Sequence, residues 1–140
     1  MRFMVGSDDA KPILEHIVAH LRDKGHDVDG VMVKGWGEVA LDVAHAVAEK
    51  KVDQGIVLCW TGTGVSMAAN KVPGVRAALC TDAATAAGAR KWNDANVLAL
   101  SLRLLSEPLA TEIIDAWLSE RYTGTEKESL DLVRAEEKRR

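Results

Sequence analysis

Short apolar runs alternate with longer amphipathic stretches along this chain, the pattern of a parallel sheet covered by helices. Runs rich in β-formers and bounded by Gly, Asp or Asn predict strands at Arg2–Gly6, Asp27–Val33, Gly55–Cys59, Val75–Leu79 and Asn96–Leu100. Apolar residues recurring every three to four positions predict helices at Pro12–Lys24, Val39–Lys51, Gly64–Lys71, Ala83–Lys91 and Ser106–Arg121. Gly25 closes the first helix, Pro73-Gly74 follows the third, and Ser106 is placed to cap the last, with Pro108 in its first turn. The order βαβαβαβαβα defines an α/β protein with an open, parallel, five-stranded sheet and helices on both faces. Ligands bind such sheets at the carboxyl ends of the strands, so the loops after strands one, three, four and five are the ones to inspect.

The segment Thr125–Arg140 breaks the pattern. It is charged, with few apolar residues besides Leu130 and Val133. It reads as a helix that docks by a narrow stripe on a partner subunit and frays at Lys138-Arg139-Arg140. The expected organisation is one domain over residues 1–124 and a charged C-terminal helix over 125–140. A chain of 140 residues that is 47% hydrophobic holds one real core rather than two. The net charge of −3, interspersed along the domain, argues against a nucleic-acid partner. Too few apolar residues precede Ser7-Asp8-Asp9 for a secretion signal or a membrane span, so a cytoplasmic protein with no membrane partner is expected.

Cys59 and Cys80 are too few for a disulfide framework, and no clustered Cys/His spacing suggests zinc. His16 and His20, spaced i, i+4, can chelate a metal, but no carboxylate or cysteine motif joins them. They read as a solvated helix face, and no metal is expected.

Candidate chemistry concentrates in the loop Cys59-Trp60-Thr61-Gly62-Thr63-Gly64-Val65-Ser66. Glycines between a strand and a helix let backbone N–H groups approach a ligand, and the helix start adds partial positive charge. The loop is either an anion site or a tight turn that merely needs glycine. It is not a dinucleotide fingerprint, because the third glycine would fall at Met67, nor a P-loop, because no G-K-[ST] follows. Cys59, at the strand end, sits where a thiol of ordinary pKa ~8.5 is shifted toward thiolate and can serve as a base. Cys80 has no glycine loop after it and reads as a small buried hydrophobe. Asp8 and Asp9 end the first strand, one placed to cap the next helix and the other to face the ligand crevice; spacing does not separate them. Arg90–Asn96 reads as a polar turn leading into strand five.

Taken together, Gly55-Ile56-Val57-Leu58-Cys59, Thr61 to Lys71, Gly74 to Cys80 and Asn93-Asp94-Ala95-Asn96-Val97-Leu98 resemble the type B ribose-5-phosphate isomerases and the related galactose-6-phosphate isomerase subunits. Gly6-Ser7-Asp8 and Ile114-Asp115-Ala116-Trp117-Leu118 extend the resemblance over most of the chain. It implies a Rossmann-like fold and a homodimer, or dimer of dimers, with sites shared between subunits. It also implies an aldose–ketose isomerase whose cysteine, matched by Cys59, moves a proton between carbons 1 and 2 of an open-chain sugar phosphate through an enediolate. The Gly62, Thr63, Gly64, Val65 and Ser66 backbone matches the family's anion hole. Thr61 and Asn93 match residues that orient the substrate, Asp8 one that contacts sugar hydroxyls, and Arg103 an arginine common after strand five. No cofactor is implied.

The chain also departs from that family. Asp9 stands where a histidine usually contacts the phosphate, and Trp92 where a histidine assists ring opening. Gly35-Trp36-Gly37 replaces Asp-Tyr-Pro, Trp60 replaces a glycine, and Gly124-Thr125-Glu126-Lys127 replaces Gly-Gly-Arg-His. These changes fall at the two ends of the substrate and spare the proton-transfer centre, so the expectation is retained chemistry on a substrate that is shorter, already open-chain or less dependent on phosphate. Arg90, Lys91, Arg103 and Arg134 remain as cations for a phosphate, and Trp36, Trp60 and Trp92 are candidates for a sugar-stacking wall. Two alternatives stand beside the isomerase: a non-catalytic sugar- or phosphate-binding subunit of a heteromer, and an epimerase that reuses the enediolate centre.

Overall fold

The computed structural model describes residues 1–139. Its centre is β3 (Gln54–Cys59), whose six residues are all buried, as expected of a strand covered on both faces. Beside it lie β1 (Arg2–Ser7) and β2 (Asp27–Val33) on one side, and β5 (Val97–Ser101) and β4 (Ala77–Leu79) on the other. The sheet order is β2-β1-β3-β5-β4 and every pairing is parallel. The sequence order reverses between β1 and β3, which opens a crevice at the carboxyl ends of those two strands.

Helices α1 (Pro12–Asp23), α4 (Ala83–Asn93) and α5 (Glu107–Ser119) cover one face, where Ile17, Leu21, Ile113 and Trp117 pack on Ile56, Leu58 and Leu98. The α1 stripe Leu14, Ile17, Val18 and Leu21 has the three-to-four spacing of a helix buried along one side. Trp117 is buried and its indole N–H donates to the Gln54 side-chain oxygen at 2.7 Å, tying α5 to the start of β3. Helices α2 (Trp36–Ala48) and α3 (Thr63–Ala69) cover the other face through Val39, Val43, Val47 and Val65. There α2 lies so close that a Cβ on Gly6 would stand 2.4 Å from a Val39 methyl.

Helix α6 (Lys127–Glu137) joins neither face. Its buried Leu130 points to a groove of about 1020 Å³ beside Val75, Arg76, Ala77, Trp92 and Asn93, and a Glu137 carboxylate accepts the Gly74 N–H at 3.3 Å. The outer edge of β4 is closed by Asn70, whose amide donates to Ala77 O and accepts from Ala77 N–H as a neighbouring strand would. Arg140, part of the expected fraying end, lies outside the described residues.

Most element boundaries shift by one to three residues from the sequence reading, and three of the shifts bear on the site. Strand four begins at Ala77 rather than Val75, because Asn96 and Val97 N–H both converge on Arg76 O at its entry. Helix α2 begins at Trp36, three residues early, since Gly35 already accepts the Val39 N–H and starts the helix without a side-chain cap. Helix α4 runs on to Asn93, so Arg90, Lys91, Trp92 and Asn93 form its last turn instead of a loop. Asp94 ends it in the left-handed region, φ 48°.

Candidate active site

Cys59 is the last residue of β3, paired in register with Ser101 of β5. Alternation along the strand turns Cys59 and Val57 toward α2 and α3, while Ile56 and Leu58 face the other core. The side chain is 5% exposed at the surface of its core. Its carbonyl accepts the Leu102 N–H at 2.9 Å, and the next carbonyl, of Trp60, accepts from Arg103 N–H and Ser101 Oγ, both at 3.0 Å. The strand end is therefore fixed by its own backbone.

Beyond it, Gly62 takes φ 78° at the entry to α3. A Cβ there would stand 2.9 Å from the Leu100 backbone carbon, so both the dihedral and the space demand glycine. The first helical bond of α3 runs from Ser66 N–H to Gly62 O, which leaves the Thr63, Gly64 and Val65 amides ahead of it without helical acceptors. Thr61 and Thr63 hydroxyls bond each other at 2.7 Å and brace the turn.

Asp8 stands across the crevice. Its N–H donates to Leu58 O at 3.1 Å, setting it beside the residue that precedes Cys59. Burial, reinforced by the charge of Asp9, pushes the Asp8 carboxyl above the usual carboxylate range. Asp9 is exposed, 3.4 Å from Lys11, and its backbone is tied to Ser7 Oγ. Arg103 is exposed at the same end of the sheet and makes no ion pair among the described residues. Cys59, Asp8, Thr61, the Gly62–Ser66 loop and Arg103 are thus brought to one end of the sheet.

Trp92, Asn93 and Arg134 are not among them. The last turn of α4 feeds the amino end of β5, whereas Cys59 lies level with Ser101 at its carboxyl end, roughly 13 Å of strand away. Trp92 and Asn93 line the α6 groove instead. Trp92 is half exposed, packed back on Gly88 with the Lys91 ammonium 6.0 Å from its ring. Arg134 and Lys127 both pair with Asp131 along α6, while the helix lines the groove with Ser129, Val133, Glu136 and Glu137.

Two candidates change role. Arg90, offered as a phosphate cation, is a clamp within its own chain: it donates to Ala95 O, pairs with Asp94 at 3.7 Å and lies over the Trp117 ring at 5.6 Å. His16 and His20, expected on a solvated face, bridge α1 to α5 through Thr111 at 2.8 Å and Asp115 at 2.6 Å. Among the described residues no group of three side chains is arranged to hold a metal ion. Cys80 is buried, its thiol pushed up to about 12 by burial and by Asp82, which leaves it inert as a base. Ser101, buried opposite Cys59, was overlooked in the sequence; a polar residue ending an apolar strand was the available signal.

Residues 3–132 match the family model described as Ribose/Galactose Isomerase, and the chain belongs to that family. It is 41% identical over 145 residues to ribose-5-phosphate isomerase B of Escherichia coli, covering 96% of this chain and 95% of that one. It is 41% identical over 127 residues to D-erythrulose-4-phosphate isomerase of Pectobacterium atrosepticum, covering 86% and 84%. The solved structure of Clostridium thermocellum ribose-5-phosphate isomerase B superimposes with a TM-score of 0.93 at 37% identity over 99% of both chains. The α/β, Rossmann-like architecture is that of these isomerases, and the chain is a sugar-phosphate isomerase by kind. No helix among the described residues is long and apolar enough to cross a membrane.

Proposed function

We propose that this chain is a cytoplasmic aldose–ketose isomerase of short sugar phosphates, with Cys59 as its base. The Cys59 thiolate takes the proton from carbon 2 of the open-chain aldose. The electrons left behind form the carbon 1–carbon 2 double bond of an enediolate, and the carbonyl oxygen on carbon 1 becomes an oxyanion. Backbone amides of the Gly62–Ser66 loop stabilise that oxyanion, a contribution of ~3 kcal/mol per donor in related chemistry. The thiol then returns its proton to carbon 1 while the carbon 2 hydroxyl loses its proton to the carbon 1 oxygen, giving the ketose. Asp8 anchors a sugar hydroxyl, and Thr61 orients the reacting carbons. What carries this reading is the meeting of Cys59, Asp8 and the Gly62 turn at the crevice between β1 and β3.

Asn93, Trp92 and Arg134 act from a second copy of the chain in a homodimer. In support, Trp92 and Asn93 lie at the opposite end of the sheet from Cys59, in a groove bordered by α6, the helix that carries Arg134, so a site needing both sets takes one from each subunit. Residues 125–140 then serve the interface, completing the one-domain core of residues 1–124.

The preferred substrate is a tetrose phosphate. Trp92 cannot protonate a ring oxygen, and a four-carbon aldose blocked at its last hydroxyl cannot close the usual furanose ring. The relative named for erythrulose 4-phosphate fits this choice. The test is incubation in heavy water with four-, five- and six-carbon aldose phosphates, following deuterium at carbons 1 and 2 by NMR. Fastest exchange and net ketose formation with the tetrose are expected; exchange without isomerisation would establish an epimerase, and no exchange with any sugar a binding subunit.

A further inference from the structure

Trp36 is a large apolar side chain in an unusual place. It is the first residue of α2, flanked by Gly35 and Gly37, and belongs to neither buried core. It is 51% exposed. Its ring nevertheless has a defined seat: a Cβ on Gly64 would lie 2.9 Å from Cε3 and 3.1 Å from Cδ2, so the six-membered part of the indole rests on the Gly64 backbone. The strand before it is fixed too, since Lys34 N–H donates to Ser7 O, one residue before Asp8. Trp36 therefore stands at the carboxyl end of the sheet, on the face toward which Cys59 turns, against the loop that follows Cys59.

We infer that Trp36 is a specificity-determining residue whose exposed indole face packs on the C–H face of the substrate's carbon chain and limits its length. This rests on the isomerase reading above. One side of the ring is held by backbone and the other is open, the arrangement by which an aromatic side chain reads a polyol: C–H groups against the ring, hydroxyls toward polar neighbours such as Asp8. Because the indole begins a helix and is seated on glycine, it yields little to a longer chain. Each carbon beyond the accommodated length is excluded by a wall rather than by lost affinity.

The test compares wild type, Trp36→Phe and Trp36→Ala on erythrose 4-phosphate and on ribose 5-phosphate, measuring kcat/KM for each together with dimer content and Tm. Truncation should lower the four-carbon to five-carbon ratio about tenfold or more, with Trp36→Phe intermediate, in the range that one carbon's fit commands in a shaped pocket. A parallel change in both rates, with the ratio held, overturns the inference and leaves Trp36 a packing residue. A held ratio with weakened dimerisation overturns it in favour of a subunit contact. A separate readout does not need turnover: erythrose 4-phosphate added to wild type should shift the Trp36 indole N–H NMR signal, assigned through Trp36→Phe, and leave that of buried Trp117 in place. A Trp36 signal that stays still overturns the inference even where turnover is normal. A wild type that binds with the shift yet exchanges no deuterium overturns the isomerase reading while the sugar contact stands.

Discussion

At the amino end of the sheet, polar groups satisfy one another. Arg76 and Arg90 both converge on Asp94, the Asn96 side chain spans Arg76 N–H and Gly74 O, and Asn70 closes the edge of β4. At the carboxyl end Ser7, Thr61, Thr63 and Ser101 are bonded in the same way, but other groups are not. Three amides of the Gly62 loop lack helical acceptors, Asp8 is held above its ordinary pKa by burial, and Arg103 projects without an ion pair among the described residues. The contrast separates what holds the fold from what is left for a ligand. Unmet hydrogen-bonding capacity beside a crevice is costly unless something occupies it. The groove under α6, lined by Trp92, Asn93, Leu130 and Val133, opens at this amino end.

The sharpest way to break this division is to exchange the same atom at two cysteines. Cys59→Ser, at the carboxyl end, should lower kcat by roughly three orders of magnitude or more with little change in Tm, because a serine hydroxyl is far too weak an acid to supply the base. Cys80→Ser, buried at 1% exposure, should instead cost about 1–2 kcal/mol of stability and leave kcat nearly intact. Equal effects of the two on turnover would erase the distinction.

Complementation tests whether the two ends serve one site. Cys59→Ser and Asn93→Ala proteins should each be poorly active alone. Mixed one to one and allowed to exchange subunits, they should recover about a quarter of wild-type activity, since half the two-fold dimers are hybrids and each hybrid has one intact site. No recovery, with exchange shown by native mass spectrometry, would confine each site to a single chain.

How much of this was legible in the chain depended on which physical signal each part leaves. Strand three and the α1 stripe declare themselves because burial imposes a periodicity that residue type reports directly. Gly62 also declares itself, since a left-handed turn against the Leu100 backbone admits no other residue. The start of α2 was hidden: Gly-Trp-Gly is a poor helix opening by propensity, and only packing of the indole on Gly64 and of Val39 on Gly6 sets it. Arg90 misled for a related reason, because a basic residue next to Lys91 reads as solvent-facing until Trp117 and Asp94 are seen beneath it. The separation of Asn93 from Cys59 required the topology itself, as strand order places them at opposite ends of β5.

A smaller effect should follow from restoring an acid in the groove. Trp92 sits at the end of α4, half exposed, packed back on Gly88 and outside both buried cores, so Trp92→His fits without disturbing a core. An imidazole there can protonate a ring oxygen, and kcat/KM for ribose 5-phosphate should rise about tenfold, below the full range of general acid catalysis because the surroundings are not tuned to it. The rate on erythrose 4-phosphate, which needs no ring opening, should stay level. A gain on both sugars alike would show that Trp92 acts by bulk rather than by the missing proton donor.

The smallest predicted effect compares two carboxylates through their pH dependence. Asp131, on α6, is held below the usual carboxylate range, first by its hydrogen bond from Lys127 and then by Arg134, so its contribution to stability is present at neutral pH and lost as pH falls through its lowered pKa. Asp8 runs the other way. Its pKa is raised by burial and by Asp9, so the folded state binds its proton more tightly than the unfolded chain does. The stability it contributes is complete below the unfolded value near ~4 and is lost as pH rises through the folded one. At pH 7 the ionised carboxylate is therefore a burden on the fold. Asp8→Asn should raise Tm slightly at pH 7, with the gain shrinking toward zero as pH is lowered through the carboxylate range, while turnover falls. Asp131→Asn should lower Tm slightly at pH 7, a loss that shrinks as pH falls through the carboxylate range. Thermal melts of both variants from pH 3 to 8 make the comparison, and an Asp8→Asn protein less stable than wild type at pH 7 would mean that the carboxylate supports the strand end rather than straining it.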